Sequence, residues 1–353
     1  MILDPILDIF RGKAVTIPPM DGAFRPNNRL DEAALLAALS APDNLASDGG
    51  RLLATSGDTV LSIRPGATPE VVERFEAPVT ALAVSPAGEL AVALASGKLL
   101  LAGKDLALPR ALRCITALAF NPNGVLLIAN GSAGHGPSEW AADLMRKGSS
   151  GSLWAREPGG GTFREVAAGL AFPNGLLAEG DTITVSESWR HRLVRFERAS
   201  GRRLETVADH LPGYPARLSR ATDGGAWLSV FAPRNRLVEF VLLEDRYRED
   251  MLAGTPPETW IAPALSSRKS FLEPLQCGAI KTMGVHKPWS PSRSYGMVVK
   301  LDAGLAPQYS LHSRADGVRH GICSAVEHEG RLIAASKGGD CVIAVDLPRG
   351  ETH

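Results

Sequence analysis

The feature that most constrains this chain is a short apolar strand entered through a Gly-bearing turn, and it recurs six times. The copies read "GGRLLATS" (49–56), "AGELAVAL" (87–94), "NGVLLIAN" (123–130), "EGDTITVS" (179–186), "GGAWLSV" (224–230) and "EGRLIAAS" (329–336). Each follows another short apolar strand by a tight turn. Most precede a third, such as "TVLSI" (59–63), "KLLLA" (98–102), "GSLWA" (151–155), "RLVRF" (192–196), "RLVEF" (236–240) and "CVIAV" (341–345). That makes six strand–turn–strand–turn–strand units, each with room for a fourth outer strand. Parallel strands would need crossovers of about a dozen residues, and most of the spaces are too short for them. Six antiparallel blades arranged radially leave only short sheet edges exposed. The sequence therefore predicts an all-β, six-bladed β-propeller with short helical insertions over one face, a single unit over 41–350. Residues 1–40, Pro-rich and then helix-like at "LDEAALLAALS" (30–40), are expected to pack on the propeller or close its ring.

Two stretches break the rhythm. Residues 131–150 carry a short helical pattern around Trp140–Arg146, and 244–296 hold "DRYREDML", "PPETW" and "LSSRKSFLEPLQ". Such insertions either cap the channel mouth or pack on the rim. His135 and Trp140 in the first, and His286 beside Trp289 in the second, suit a roof over a flat organic ligand. With 38 basic and 38 acidic residues the formal charge is zero, which argues against a nucleic-acid partner or an anionic membrane surface. The N-terminal "MILDPILDIFRGKAV" lacks a signal-peptide pattern, and no run approaches the ~18 apolar residues of a membrane span. Cys114, Cys277, Cys323 and Cys341 form no CxxC pair. The expectation is a cytoplasmic protein with reduced thiols and a small-molecule ligand.

Three stretches carry a family resemblance: "GLAFPNGLLAEGDTITVSESWRHRLVRF" (169–196), "LPGYPARLSRATDGGAWLSV" (211–230) and "SRADGVRHGICSAVEHEGRLIAASKGGDCVIAVDL" (313–347). From about residue 40 to 347 the chain resembles the strictosidine synthase-like family. That family includes the plant alkaloid synthases, the adipocyte plasma membrane-associated protein and, more distantly, the paraoxonases and gluconolactonases. The resemblance implies a site in the central channel, at the start of each blade's innermost strand. In the calcium-dependent relatives those positions supply a Glu, two Asn and an Asp-Asn pair. Matched to this sequence, they fall on Asp43 in blade one, Thr116 in blade three, Asn174 in blade four and Ala216-Arg217 in blade five. Two oxygen ligands of five are too few for tight calcium binding, so no metal or other cofactor is expected. Arg217 is either a rim arginine or a built-in cation that pairs with Asp43 and hydrogen-bonds Asn174.

The family's catalytic groups are also replaced. The synthases' proton-moving Glu in the last blade falls on Cys323, and the paraoxonases' channel His falls on Thr80. Glu327 and His328 read as solvated turn residues. Cys323 is either a small core residue or a thiol whose pKa a nearby cation lowers toward nucleophilic use. His320 can assist it only if the strand begins after His320, because i and i+3 on a strand face opposite ways. Three functions follow. The first is hydrolysis of a lactone or ester, with Arg217 stabilising an oxyanion and Asp43 or its water acting as base. The second is carbon–carbon or carbon–nitrogen bond formation of the Pictet–Spengler type, against which the missing Glu argues. The third is non-catalytic binding of a small anion or a protein.

Overall fold

The computed structural model describes residues 16–48, 50–267 and 293–347, with Glu273 and the two-residue strands Lys281–Thr282 and Val285–His286 between them. Six antiparallel four-stranded sheets form the blades of a propeller. Their innermost strands are Pro42–Ser47, Val79–Val84, Ile115–Phe120, Pro173–Glu179, Gly213–Arg220 and Ile322–His328. Among the described residues, six hydrophobic clusters each join one blade to the next. One example sets Leu127 and Leu153 of blade three against Val185 and Val194 of blade four. No helix among these residues is long and apolar enough to cross a membrane.

Two local expectations are corrected. The helix-like segment 30–40 contains the strand Ala34–Ala38, which pairs with Cys341–Asp346 as the outermost strand of blade six. Its Ala and Leu residues favour a helix in isolation, but the open edge of Cys341–Asp346 offers a ladder of backbone hydrogen bonds. Ala37 then packs beside Val342 and Ala344. The ring is thus closed by strands from both ends of the chain. In blade five, "RLVEF" is not the third strand. That strand is Gly296–Leu301, so the insertion begins just after Pro233.

The insertions carry three helices: α1 (Trp140–Met145), α2 (Arg236–Leu243) and α3 (Asp245–Gly254). Asn235 starts α2 by accepting a 2.8 Å hydrogen bond from Leu237 N, the standard N-cap arrangement. Leu144, Val238, Val241 and Met251 from these helices gather with Phe231, Trp260 and Cys323 in one apolar cluster. Both insertions therefore meet over the channel mouth. Glu327, read as solvated, instead ties blade six to blade five, accepting from Trp227 Nε1 at 2.6 Å and Thr222 N at 2.9 Å. His328 Nδ1 meets Ser47 Oγ of blade one at 3.0 Å.

Side chains alternate along a strand, so every second residue of an inner strand faces the axis. Leu45, Leu82, Leu118, Leu176, Leu218 and Ala325 converge around a void of only about 50 Å³. This apolar ring closes the lower channel and leaves access from the insertion side. The inner strands of blades four and five run so close that a Cβ on Gly175 would collide with Ala216 O. Gly175→Ala should therefore cost about 1–3 kcal/mol through overpacking. Gly134→Ala meets nothing within 4 Å and should leave the midpoint of urea unfolding where it is.

Candidate functional site

Each inner strand enters the channel through an irregularity of register, and the same position is displaced in all six blades. In blade two Val79 pairs with Leu94 while Ala81 pairs with Ala93, which leaves Thr80 as the extra residue. The same count sets aside Thr116, Asn174 and Cys323 in blades three, four and six. Blades one and five skip two residues, Asp43-Asn44 and Ala216-Arg217. A β-bulge re-aims the residue it frees. Here the freed residues Asp43, Thr80, Thr116, Asn174, Arg217 and Cys323 line one cavity of about 330 Å³, directly above the leucine ring.

The floor of that cavity is an ion triad. Arg217 Nη1 stands 2.7 Å from Asp43 Oδ1, and Lys337 Nζ stands 2.5 Å from Asp43 Oδ2. The Arg217 contact is an ion pair without hydrogen-bond alignment, so Asp43 Oδ1 accepts no hydrogen bond. Arg217 is fixed by donating to Thr80 O at 2.8 Å and Cys323 O at 3.4 Å. It reaches blades one, two and six from blade five. The expected hydrogen bond to Asn174 does not form; Asn174 lines the cavity with its amide unpaired among the described residues. Lys337, which the sequence reading passed over, follows the second strand of blade six, Arg331–Ser336.

Burial pushes the Asp43 carboxyl up, but Arg217 and Lys337 outweigh it and hold the group below its ordinary value of 3.8. Asp43 in turn raises Lys337 above 10.5. One carboxylate against two fixed cations leaves the floor with one net positive charge. Of the two readings of Cys323, the structure favours the small core residue over the activated thiol: burial first, and then Asp43, push its thiol up to about 12. The nearby cations are already paired with Asp43, so the sulfur stays protonated and is a poor nucleophile.

The walls come from the connecting segments and from the second strand of blade five, Ala226–Pro233. Trp140, Phe172, Phe231 and Leu265 line the cavity. Trp140 meets Phe231 edge-on at 5.5 Å, and Trp189 stacks behind Phe172 at 4.4 Å. Buried Asp143 holds Trp189 by accepting from its Nε1 at 2.8 Å. Leu265 lies against blade six so tightly that a Cβ on Gly338 would collide with its carbonyl oxygen.

Thr116 lines the cavity but spends its hydroxyl on Pro173 O at 2.5 Å. Thr80 Oγ1 is buried without a hydrogen bond among the described residues. His135 is on the lid loop, 3.1 Å from Asp143, and is not part of the cavity lining. His320 precedes its strand, and both ring nitrogens are engaged, at Ser294 Oγ (2.8 Å) and Arg314 O (2.7 Å). It too is absent from the lining. The side chain of His286, and all of Trp289 and Cys277, lie outside the described residues. Cys114, Cys323 and Cys341 are buried, unpaired thiols.

No family model matches the chain. Strictosidine synthase-like 2 of Arabidopsis thaliana is 25% identical over 213 residues, 56% of this chain and 49% of that protein. The match thus spans about half the length of the curated relative. A solved gluconolactonase from Xanthomonas campestris superposes with a TM-score of 0.57 over 91% of this chain and 92% of its own, at 15% identity, a likeness of fold.

The chain is a six-bladed propeller similar, over the matched half, to strictosidine synthase-like 2. A calcium cage needs about 6–8 oxygens with carboxylates to balance the charge. This propeller offers one carboxylate, already bracketed by Arg217 and Lys337, and the Asn174 amide. Among the described residues no three His, Cys, Asp or Glu side chains gather to hold a metal. The residues present do not fit a calcium ion, because it would stand beside two cations. Millimolar calcium added to chelator-treated protein should therefore leave the melting temperature unchanged.

The triad also sets an acid limb of stability. Asp43 has a depressed pKa, so its contribution is complete above about pH 4 and is lost as pH falls through its folded value, below 3.8. Lys337 has a raised pKa, so its contribution holds below 10.5 and is lost as pH climbs through its folded value. Asp43→Asn strands two cations together and should cost on the order of 3 kcal/mol at pH 7, near the low end for a buried pair. The low end applies because these three side chains keep 15–31% of their exposure. Urea titrations from pH 2 to pH 7 should show the difference from wild type shrinking on the acid side.

Proposed function

We propose that this propeller hydrolyses lactones or esters of small organic acids in the channel. The observation that carries the reading is the floor: two cations fixed on one carboxylate, beside an Asn174 amide unpaired among the described residues, inside largely apolar walls. Water adds to the carbonyl carbon, the carbon–oxygen bond to the leaving alcohol breaks, and a proton of the water passes to the departing oxygen. Negative charge grows on the carbonyl oxygen meanwhile. Lys337, Arg217 and Asn174 are the donors that stabilise it, and dry walls strengthen that effect. Asp43 holds the attacking water. Its lowered pKa makes it a weak base, so the chemistry suits electrophilic carbonyls: strained lactones and aryl esters. The gluconolactonase sharing the fold supports lactones as first substrates.

The same floor weighs against the synthase alternative. A Pictet–Spengler condensation passes through an iminium cation, which two fixed cations destabilise, and the proton-moving Glu is replaced by Cys323. Binding without turnover remains the competing reading, favoured by the weak basicity of Asp43.

The test is a panel of aryl esters and five- and six-membered lactones against wild type and three variants. Arg217→Met and Lys337→Met should each lower kcat/KM about 10²–10³-fold, as loss of an oxyanion donor does. Cys323→Ser should change it little, since the thiol is protonated throughout the working range. Abolished activity in Cys323→Ser, or no turnover of any substrate by wild type, would overturn the proposal.

A further inference from the structure

We infer that the channel selects a flat aromatic carboxylate, or an acyl compound that releases one, and that Lys337 reads its charge. The inference deepens the hydrolase reading by naming the acid portion of the substrate. It also stands as a statement about binding if no turnover occurs.

Three observations carry it. The first is charge. Arg217 and Lys337 outnumber Asp43, so the floor keeps one uncompensated positive charge within a cavity of about 330 Å³. The second is free donor capacity. An ammonium has three N–H donors, and among the described residues Lys337 meets one acceptor group, Asp43. It is also the most exposed of the three charged side chains, at 31%. Asn174 adds an amide that pairs with none of the described residues. Arg217, by contrast, already spends N–H groups of both terminal nitrogens on Thr80 O and Cys323 O beside its ion pair with Asp43, so Lys337 and Asn174 keep the most free donor capacity for a ligand's carboxylate.

The third is shape. Trp140, Phe172 and Phe231 face the cavity from three different segments, and Trp189 backs Phe172 in a stacked pair. Their ring faces and edges offer offset or T-shaped contacts to a flat body. Asp143 pins Trp189, and Asp143 itself is fixed by Ser132 Oγ at 2.7 Å, so the wall is pre-organised. A ligand with its carboxylate on Lys337 and Asn174 places its ring among these aromatics. An amine in the same pose would bring a third cation to the floor.

The experiment titrates 2-naphthoate, its neutral isostere 2-naphthamide and the cation 2-naphthylmethylamine into the full chain by calorimetry, at low and at 0.5 M salt. The expected order is naphthoate at least tenfold tighter than the amide, with the amine weakest, and salt eroding only the naphthoate advantage. Lys337→Met should bring naphthoate down to the amide. Trp140→Ala should weaken both by a similar factor. Equal binding of acid and amide by wild type, or preference for the amine, overturns the inference without needing any variant. A naphthoate advantage that survives in folded Lys337→Met overturns the role of Lys337. Turnover separates the two proposals. Naphthoate selectivity with no ester cleaved leaves this inference standing and removes the hydrolase. Cleavage of acetyl and naphthoyl aryl esters at equal kcat/KM, with no inhibition by naphthoate, does the reverse.

Discussion

Six sheets packed around an axis leave a tube bounded by their inner strands, and the interior of a protein does not tolerate empty space. Here the tube is filled in two tiers. The lower tier is five leucines and an alanine, one from each blade, nearly closed on themselves. The upper tier is the six bulge residues, which are too polar to close in the same way. What separates a plug from a pocket is therefore only one or two residues along each strand: one from Arg217 to Leu218 in blade five, two in the other blades. The leucine tier makes the fold self-sufficient, which frees the upper tier to be arranged for chemistry.

A dication held by carboxylates is one solution to a polar ring of this kind. This chain uses another, setting the charges of Arg217 and Lys337 around one carboxylate. The difference matters more to the electrostatics than the charge count suggests. A calcium ion can leave, and its site then becomes acidic. Covalently anchored cations cannot leave, so the channel stays electropositive whatever the metal supply. Asp43 is what makes this tolerable. Burying it alone would raise its pKa, and burying Arg217 and Lys337 without it would set two like charges together. Each charge is affordable only with the others, and the three come from blades five, one and six.

Much of this was legible in one dimension. The six Gly-bearing turns set the blades, and an x-Leu step follows five of the channel residues: Asp43 to Leu45, Thr80 to Leu82, Thr116 to Leu118, Asn174 to Leu176 and Ala216 to Leu218. What escaped did so for physical reasons. Residues 30–40 are built from helix formers, and only a strand edge contributed some 300 residues later turns them into a strand. "RLVEF" alternates well enough for a strand, yet Asn235 ahead of it was a readable cap. Lys337 follows a second strand, away from the inner-strand positions where the sequence drew attention. Cys323 lines the cavity, but its protonation depends on who holds the neighbouring cations, and that is a matter of distance rather than order.

The stretch Ser336-Lys337-Gly338 joins the two halves of the site. Lys337 supplies the floor's free charge, and the next residue has to be small because the Leu265 carbonyl of the second insertion rests on it. Gly321, at φ 64°, makes the same allowance from the other side, where a Cβ would stand 2.7 Å from that carbonyl. The lid is thus seated on the backbone that carries the cation. Since the strength of a charge depends on the apolar walls around it, any shift of Leu265 that admits water weakens Lys337 electrostatically as well as exposing it. Access and charge at this site are two readings of one contact. That coupling sets Leu265, the apolar group that the described part of the second insertion contributes to the cavity, against the residue with the most free hydrogen-bonding capacity.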